Sequence, residues 1–322
     1  MIKPNIKNKL GLFLIVLFMI LISLGLLSSG ENAYVNTYLN IESIASEVLK
    51  VVITNSSNSY SPANISLNPG TYKTAYCNGV ARSSDGNKNI LYVQAVLFQD
   101  GVSEFASDDN NTHYTNNSCY IDYNVTNPDY GDDITGNYTA NYSCSFDIQY
   151  YTNPGTWNCS VYANGENSNS TTGGVDELLA ITLPQSINYG HVNPTYVSDE
   201  QIVNVSNAGN VMINLSLQGY SKNLGDPFAM NCSNEENISI MYEKYNLTSS
   251  NPTIFGLGDF ESLYTNLTND TVVKKFNLNF RQQETYDDAI NATYWRIYVP
   301  MEIEGTCSGN ILFSATKADG SD

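Results

Sequence analysis

Histidine is almost missing from this chain: His113 and His191 are its two, and they stand far apart. Neither lies near a Gly-x-Ser-x-Gly elbow, which leaves a Ser-His-Asp site without footing. Nor does either accompany a Cys-x-x-Cys pair, since the sequence has none, and this disfavours zinc. Basic residues are scarce as well. Fourteen Lys and Arg against 32 Asp and Glu give a formal net charge of -18, and Lys3, Lys7 and Lys9 all precede the first acidic residue, Glu31. A chain so poor in cations offers phosphate no footprint, which argues against a nucleic-acid partner. Calcium or a salt-rich medium would suit the acidic surface, and solubility alone explains it. Beyond Leu27 no second long apolar run occurs, so neither another membrane span nor a hydrophobic sorting tail near Asp322 is expected.

What the chain has in excess is Asn-x-Ser/Thr. About seventeen such sequons run from Asn55 to Asn291, where a shuffled chain of this composition would hold about seven. Ahead of them Leu10 to Leu27 is free of charge; as a helix of about 18 residues it would reach roughly 27 Å, enough to cross a hydrocarbon core. The lysines before it would keep the N-terminus in the cytoplasm and send the remainder out. Ser28-Ser29-Gly30 supplies small residues for a signal peptidase, while the length of the run suits a retained anchor better. A type IV pilin leader would set a basic residue directly before a Gly, and here Gly11 follows Leu10. The expected partners are thus the membrane, through this segment, and other surface proteins or glycans.

From Val51 onward, short alternating runs are separated by Asn, Gly, Pro, Asp and Ser, as in an all-β sandwich. Trp157, Cys159 and Val161 share one strand face and Asn158 the other. Val203 and Val205 oppose Asn204; Ile213, Leu215 and Leu217 oppose Asn214; Phe276, Leu278 and Phe280 oppose Asn277 and Asn279. Sequon asparagines therefore fall on outward positions, and Asn158, Asn204, Asn214, Asn231 and Asn291 are candidate glycosylation sites. The layout read from these runs is a leader over 1–30, a linker or short stalk helix over 31–50, one sandwich over 51–174 and a second over 175–322 with a short polar tail. The Gly-rich run 168–174 (SNSTTGG) has the composition of the boundary between the two sandwiches.

The residues around Cys77 (TYKTAYCNGV) and Cys159 (GTWNCSVYA) resemble the B and F strands of an Ig-like domain. VNVSNAGNVMINLSLQG (203–219) and YWRIYVPMEIEGTCSGNILFSA (294–315) are similar to tandem Ig-like modules of archaeal and bacterial surface proteins, a group without an assigned function. The resemblance implies two Ig-like sandwiches. In it Asn207, Gly209 and Asn210 form a turn between strands, 309–315 forms a closing strand, and Cys77–Cys159 bolts the sheets together. Cys119–Cys144 and Cys232–Cys307 are then the remaining pairs. On counts alone the four cysteines of the first half admit three connectivities.

One candidate metal site stands out. Asp85, Asn87 and Asn89 space oxygen side chains two apart in a turn, as a calcium loop does, although no Gly follows at the sixth position and no Glu at the twelfth. Ordinary turn chemistry explains the same residues. No other cofactor is expected. The tyrosines at 150, 151, 294 and 298, with Trp295, would serve either as sugar-stacking platforms or as sheet packing, and packing is favoured for Trp295. The sequence thus leads to a non-enzymatic extracellular protein of a prokaryotic, archaeal, surface with a structural or adhesive role. A carbohydrate-binding module and a pilin-like filament subunit are the alternatives.

Overall fold

The computed structural model describes residues 14–19, 35–40, 45–57, 59–132, 137–165, 167–251, 256–283 and 289–318. Ser43–Asp322 form one compact unit and Met1–Glu42 another. Within the latter, residues 14–19 are helical and 35–40 have no regular structure. The rest of the leader lies outside the described residues, and among those described no helix is long and apolar enough to cross a membrane. The polar tail beyond Ala318 also lies outside them.

The first sandwich faces two four-stranded antiparallel sheets against each other. One contains β1 (Glu47–Thr54), β2 (Lys73–Arg82), β5 (Tyr120–Asp122) and β6 (Thr139–Ile148), in the order β1-β2-β6-β5. The other contains β3 (Val93–Gln99), β4 (His113–Asn116), β7 (Gly155–Ala163) and β8 (Ser168–Val175), in the order β4-β3-β7-β8. Period-two alternation decides what is buried. Ala75, Cys77 and Ala81 on β2 and Tyr142, Cys144 and Phe146 on β6 meet Ala95 and Leu97 on β3 and Trp157, Cys159 and Val161 on β7. Cys77 bridges to Cys159 across the sheets, and Cys119 bridges to Cys144. Trp157 is fully buried and its indole N–H donates to the Asn153 carbonyl at 2.9 Å.

Two segments differ from the sequence reading. The polar run 168–174, read from its composition as a boundary, forms the strand β8, laddered to β7 along its whole length. Its glycines serve close approach: a Cβ on Gly173 would sit 3.0 Å from Ile53, and one on Gly174 2.9 Å from Asn64. The ladder needs backbone alone, so a strand forms where side-chain alternation gives no sign of one. The other segment is 31–50, where the described residues 35–40 are not helical and β1 already begins at Glu47 because Val48 and the apolar residues after it go into the core.

The second sandwich sets a five-stranded sheet against a three-stranded one. The first holds β9 (Ile181–Thr182), β10 (Gln201–Asn207), β14 (Glu243–Asn246), β15 (Thr265–Asn266) and β17 (Ile290–Ile297), ordered β15-β14-β17-β10-β9. The second holds β11 (Ile213–Tyr220), β16 (Val272–Leu278) and β19 (Asn310–Lys317), ordered β16-β11-β19. A small third sheet, β12 (Phe228–Cys232) flanked by β13 (Asn237–Ser239) and β18 (Cys307–Ser308), carries the bridge between the directly opposed Cys232 and Cys307. Val203, Val205, Ile213, Leu215, Leu217, Phe276, Leu278 and Trp295 fill the core, as their alternation predicts.

On the outer face of the five-stranded sheet lies α1 (Leu257–Leu263), which buries Phe260. It covers two cations that stand opposite each other in the ladder, Lys244 on β14 and Arg296 on β17. Lys244 Nζ reaches Glu261 at 2.5 Å and lies 5.0 Å from the Phe260 ring. Arg296 donates to the carbonyls of Ser198 and Asn251, each at 2.7 Å, and to the Tyr264 hydroxyl at 3.1 Å. Buried charges held this way are compensated, which makes the patch a clamp for the helix.

Candidate functional site

The feature that differs most from an ordinary sandwich is a seam in the second one. In the first core, the half-buried apolar side chains are Ile121, Tyr123 and Leu178. In the second, Ile181, Leu183, Ile187 and Tyr189 form one half-buried lip, and Ile311, Phe313 and Ala315 on β19 form the other. The segment 183–189 has no regular structure and leaves a cavity of about 310 Å³ against β19, with Val203, Met230 and Glu243 in its wall. A second cavity of about 530 Å³ lies beyond Tyr189, lined by His191, Ile238, Val299 and Ile303 among others.

Glu243 gives the seam its chemistry. It shares a strand face with Tyr245 on β14, opposite to that of Lys244, so period two turns its carboxyl inward, where it is 2 % exposed and accepts the Tyr189 hydroxyl at 2.8 Å. Burial pushes this carboxyl up to about 7, the Tyr189 hydrogen bond pulling only partly the other way. Tyr189 is driven upward in turn, by burial and by the neighbouring Glu243 charge. The wall is mixed: Leu183, Ile187, Val203, Met230 and Phe313 share it with the polar side chains of Gln185, Ser186, Asn310 and Glu243.

The backbone beside the seam is open too. β19 ladders to β11 from Asn310 to Lys317 without a register break, and among the described residues no strand pairs with its other edge. Asn310 to Thr316 carries no charge and no proline, and Leu312 is 43 % exposed. Several other edges are guarded: β5, β9 and β15 are very short, β16 carries Lys274 and Lys275, and β1 is broken by a bulge between Val48 and Lys50, whereas the edge strand β8 is, like β19, free of charge and proline.

The amide N–H groups of two candidate calcium residues bond to the backbone. Asn87 is buried, and its amide donates to the carbonyls of Tyr123 and Thr139, both at 3.0 Å. The Asn89 amide donates to the Asp85 carbonyl at 2.6 Å. Asp109 collects the N–H groups of Asn111, Thr112 and His113, and Asp108 takes His113 Nδ1 at 2.8 Å and the Thr115 N–H at 3.1 Å. Asp132 likewise caps Asn127, Tyr138 and Thr139; its neighbour Asp133 lies outside the described residues. These loops are held rigid by their own carboxylates. Among the described residues no group of three or more His, Cys, Asp or Glu is arranged to hold a metal ion.

The turn formed by Asn207, Gly209 and Asn210 does join β10 to β11, but it is buried at the junction of the two sandwiches. The Asn210 amide donates to the Thr152 carbonyl at 2.9 Å and the Asp176 carbonyl at 3.1 Å, while its oxygen accepts the Leu178 N–H at 2.7 Å. One side chain thereby ties the first sandwich, the connection and the second sandwich together. Gly209 is required for the fit, because a Cβ there would lie 2.0 Å from the Leu178 carbonyl oxygen.

No protein-family model and no curated protein matches the chain. Among the solved structures that resemble it are two pilus-related complexes. One is a chaperone-tip adhesin complex of CFA/I fimbriae biogenesis, 11% identical over 84% of this chain and 85% of that one, with a TM-score of 0.28. The other is the CsuC-CsuE chaperone-tip adhesion subunit pre-assembly complex of the archaic chaperone-usher Csu pili of Acinetobacter baumannii. It is 11% identical over 84% of this chain and 99% of that one, with a TM-score of 0.36. Superpositions this loose bear on neither activity nor partner.

The five candidate sequon asparagines fall into two groups. Asn204 and Asn291 are exposed. Asn158, Asn214 and Asn231 are half-buried; Asn214 accepts the N–H groups of Phe276 and Asn277, and the Asn231 amide donates to Asn237. Of the aromatic candidates, Trp295 is fully buried between Tyr245 and Phe313, and Tyr151 is buried as well. Tyr298 packs on Tyr242. Sequence reasoning missed Glu243, although a signal existed: its place in a strand beside Tyr245, on the face that carries the core.

Proposed function

We propose that this chain is exported and serves without enzymatic activity as a structural or adhesive protein of a prokaryotic surface, held at the membrane by its apolar N-terminal segment and N-glycosylated. One observation carries the reading: all six cysteines are bonded in three bridges and none is free. Thiols paired so completely belong to an oxidising compartment. Mass-tagging with maleimide, before and after reduction, on protein taken from its own cells tests it. No tag before reduction and six after it are expected, together with loss of the protein when intact cells are treated with protease. Six tags without reductant would overturn the assignment.

The second reading, a filament subunit, is favoured by the unguarded edge of β19. In it, that edge receives an extended segment of a second copy, whose apolar side chains enter the seam. Because Asn310 to Thr316 is neutral, two strongly acidic molecules could meet there with no like charges opposed. Leu312→Lys, a change at an exposed position, should abolish assemblies seen by sedimentation of the native protein. Assemblies that persist in the variant, or a wild type that sediments only as a monomer, would reject this second reading.

A further inference from the structure

We infer that Asn204 carries an N-linked oligosaccharide whose first sugars lie over an apolar patch on the outer face of the second sandwich. This rests on the reading of the chain as an exported glycoprotein and goes further by choosing the site. Val203 and Val205 point into the core, so Asn204 stands at the middle of the outer side of β10, opposite Ala292 of β17. To either side of it, two residues along the strand or across the ladder, lie Ile202, 61 % exposed, and Ile290, 42 % exposed, with the half-buried Tyr294 opposite Ile202. An exposed apolar patch centred on a polar residue is costly in water unless something covers it. The C–H face of a pyranose ring fits that need, and an aromatic neighbour favours such stacking.

The asparagine itself is available. Asn204 is exposed, and among the described residues its amide makes no hydrogen bond. Three other sequons have spent theirs, although that of the exposed Asn291 is also unused: the Asn64 amide donates to Asp176 at 3.0 Å, that of Asn169 to the Val48 carbonyl at 3.1 Å, and that of Asn231 to Asn237 at 2.9 Å. A sugar on any of these three would crowd an amide nitrogen that already serves a bond of the fold. The modification needs a polyprenol-phosphate-linked oligosaccharide as donor and a membrane transferase. Nδ2 attacks the anomeric carbon, the new C–N bond replaces the C–O bond to phosphate, the lipid phosphate departs with that electron pair, and Nδ2 loses one proton.

Glycopeptide mapping of the full chain purified from its own cells tests the assignment. Occupancy at Asn204, with Asn64, Asn169 and Asn231 bare, is expected. Ser206→Ala, which removes the acceptor motif while leaving the asparagine, should lose one oligosaccharide mass and gain binding of an anilinonaphthalene dye; Asn204→Gln should do the same if that variant fails to accumulate. Sugar at other sequons with Asn204 bare would overturn this inference alone. Bare asparagines throughout would overturn it together with the glycoprotein reading.

Discussion

Glu243→Gln should stabilise the protein at neutral pH and leave it unaltered in mild acid. Burial holds this carboxyl up to about 7 in the fold, against an ordinary value of 4.5 to which it returns on unfolding. Well below 4.5 both states are protonated and the group favours neither. As the pH rises from 4.5 toward 7, the unfolded chain gives up its proton while the fold keeps it, so stability is lost across that window. Above 7 the deficit is constant, on the order of 3 kcal/mol, since each pH unit of displacement is worth about 1.4 kcal/mol. Gln has the same shape, cannot ionise and still offers an oxygen to the Tyr189 hydroxyl, so it removes the penalty without opening a cavity. Urea unfolding of both proteins, followed by tryptophan fluorescence, checks this, with Trp295 reporting from the same core. The midpoints should coincide near about pH 4 and separate steadily up to about pH 7.5. A difference that does not change with pH, or a Gln variant weaker at neutral pH, would refute the reasoning.

Asn210→Ala leaves the Thr152 and Asp176 carbonyls and the Leu178 N–H without their partner, a cost of about 2 to 4 kcal/mol. Calorimetry should then resolve two transitions in place of one coupled one. Replacing Cys77 and Cys159 together by Ala releases a crosslink spanning 82 residues; on the chain-entropy account the first sandwich should lose about 4 to 5 kcal/mol, read as a fall in its urea midpoint. Phe260→Ala removes the anchor of α1, and hydrogen exchange of residues 257–263 should accelerate while the β11 amides stay protected.

Much of the fold was legible because strand alternation is a local property. Ile213, Leu215 and Leu217 announce their burial whatever lies across from them, and the three bridges are those that the Ig-like resemblance around Cys77 and Cys159 implied, where the cysteine count alone left three connectivities in the first half. β8 was not legible, because its polar and glycine residues contribute backbone and empty space rather than a pattern. The Asp85-Asn87-Asn89 spacing suggested a ligand set, and the bonds of the Asn87 amide to the carbonyls of Tyr123 and Thr139, far away in the chain, are something that spacing cannot express. The seam was hidden for a related reason: Leu183, Ile187 and Phe313 look like ordinary core residues, and their partial exposure arises from which segments end up side by side. Asn210 was identified as a turn residue, but its bond to Thr152 joins residues 58 apart in the chain.

In the ladder of the first sandwich, Cys144 stands directly across from Cys77. The same strand pairing that builds the sheet therefore brings together two sulfurs that must not join each other. A chain oxidised before β7 arrives would meet that wrong couple first. Cys119 guards against it: only 25 residues from Cys144, it closes the smaller loop at lower entropic cost and occupies Cys144, leaving Cys77 to wait for Cys159. Loop-closure entropy thus favours Cys119 over Cys77 as the partner of Cys144, although Cys77 is its neighbour in the ladder.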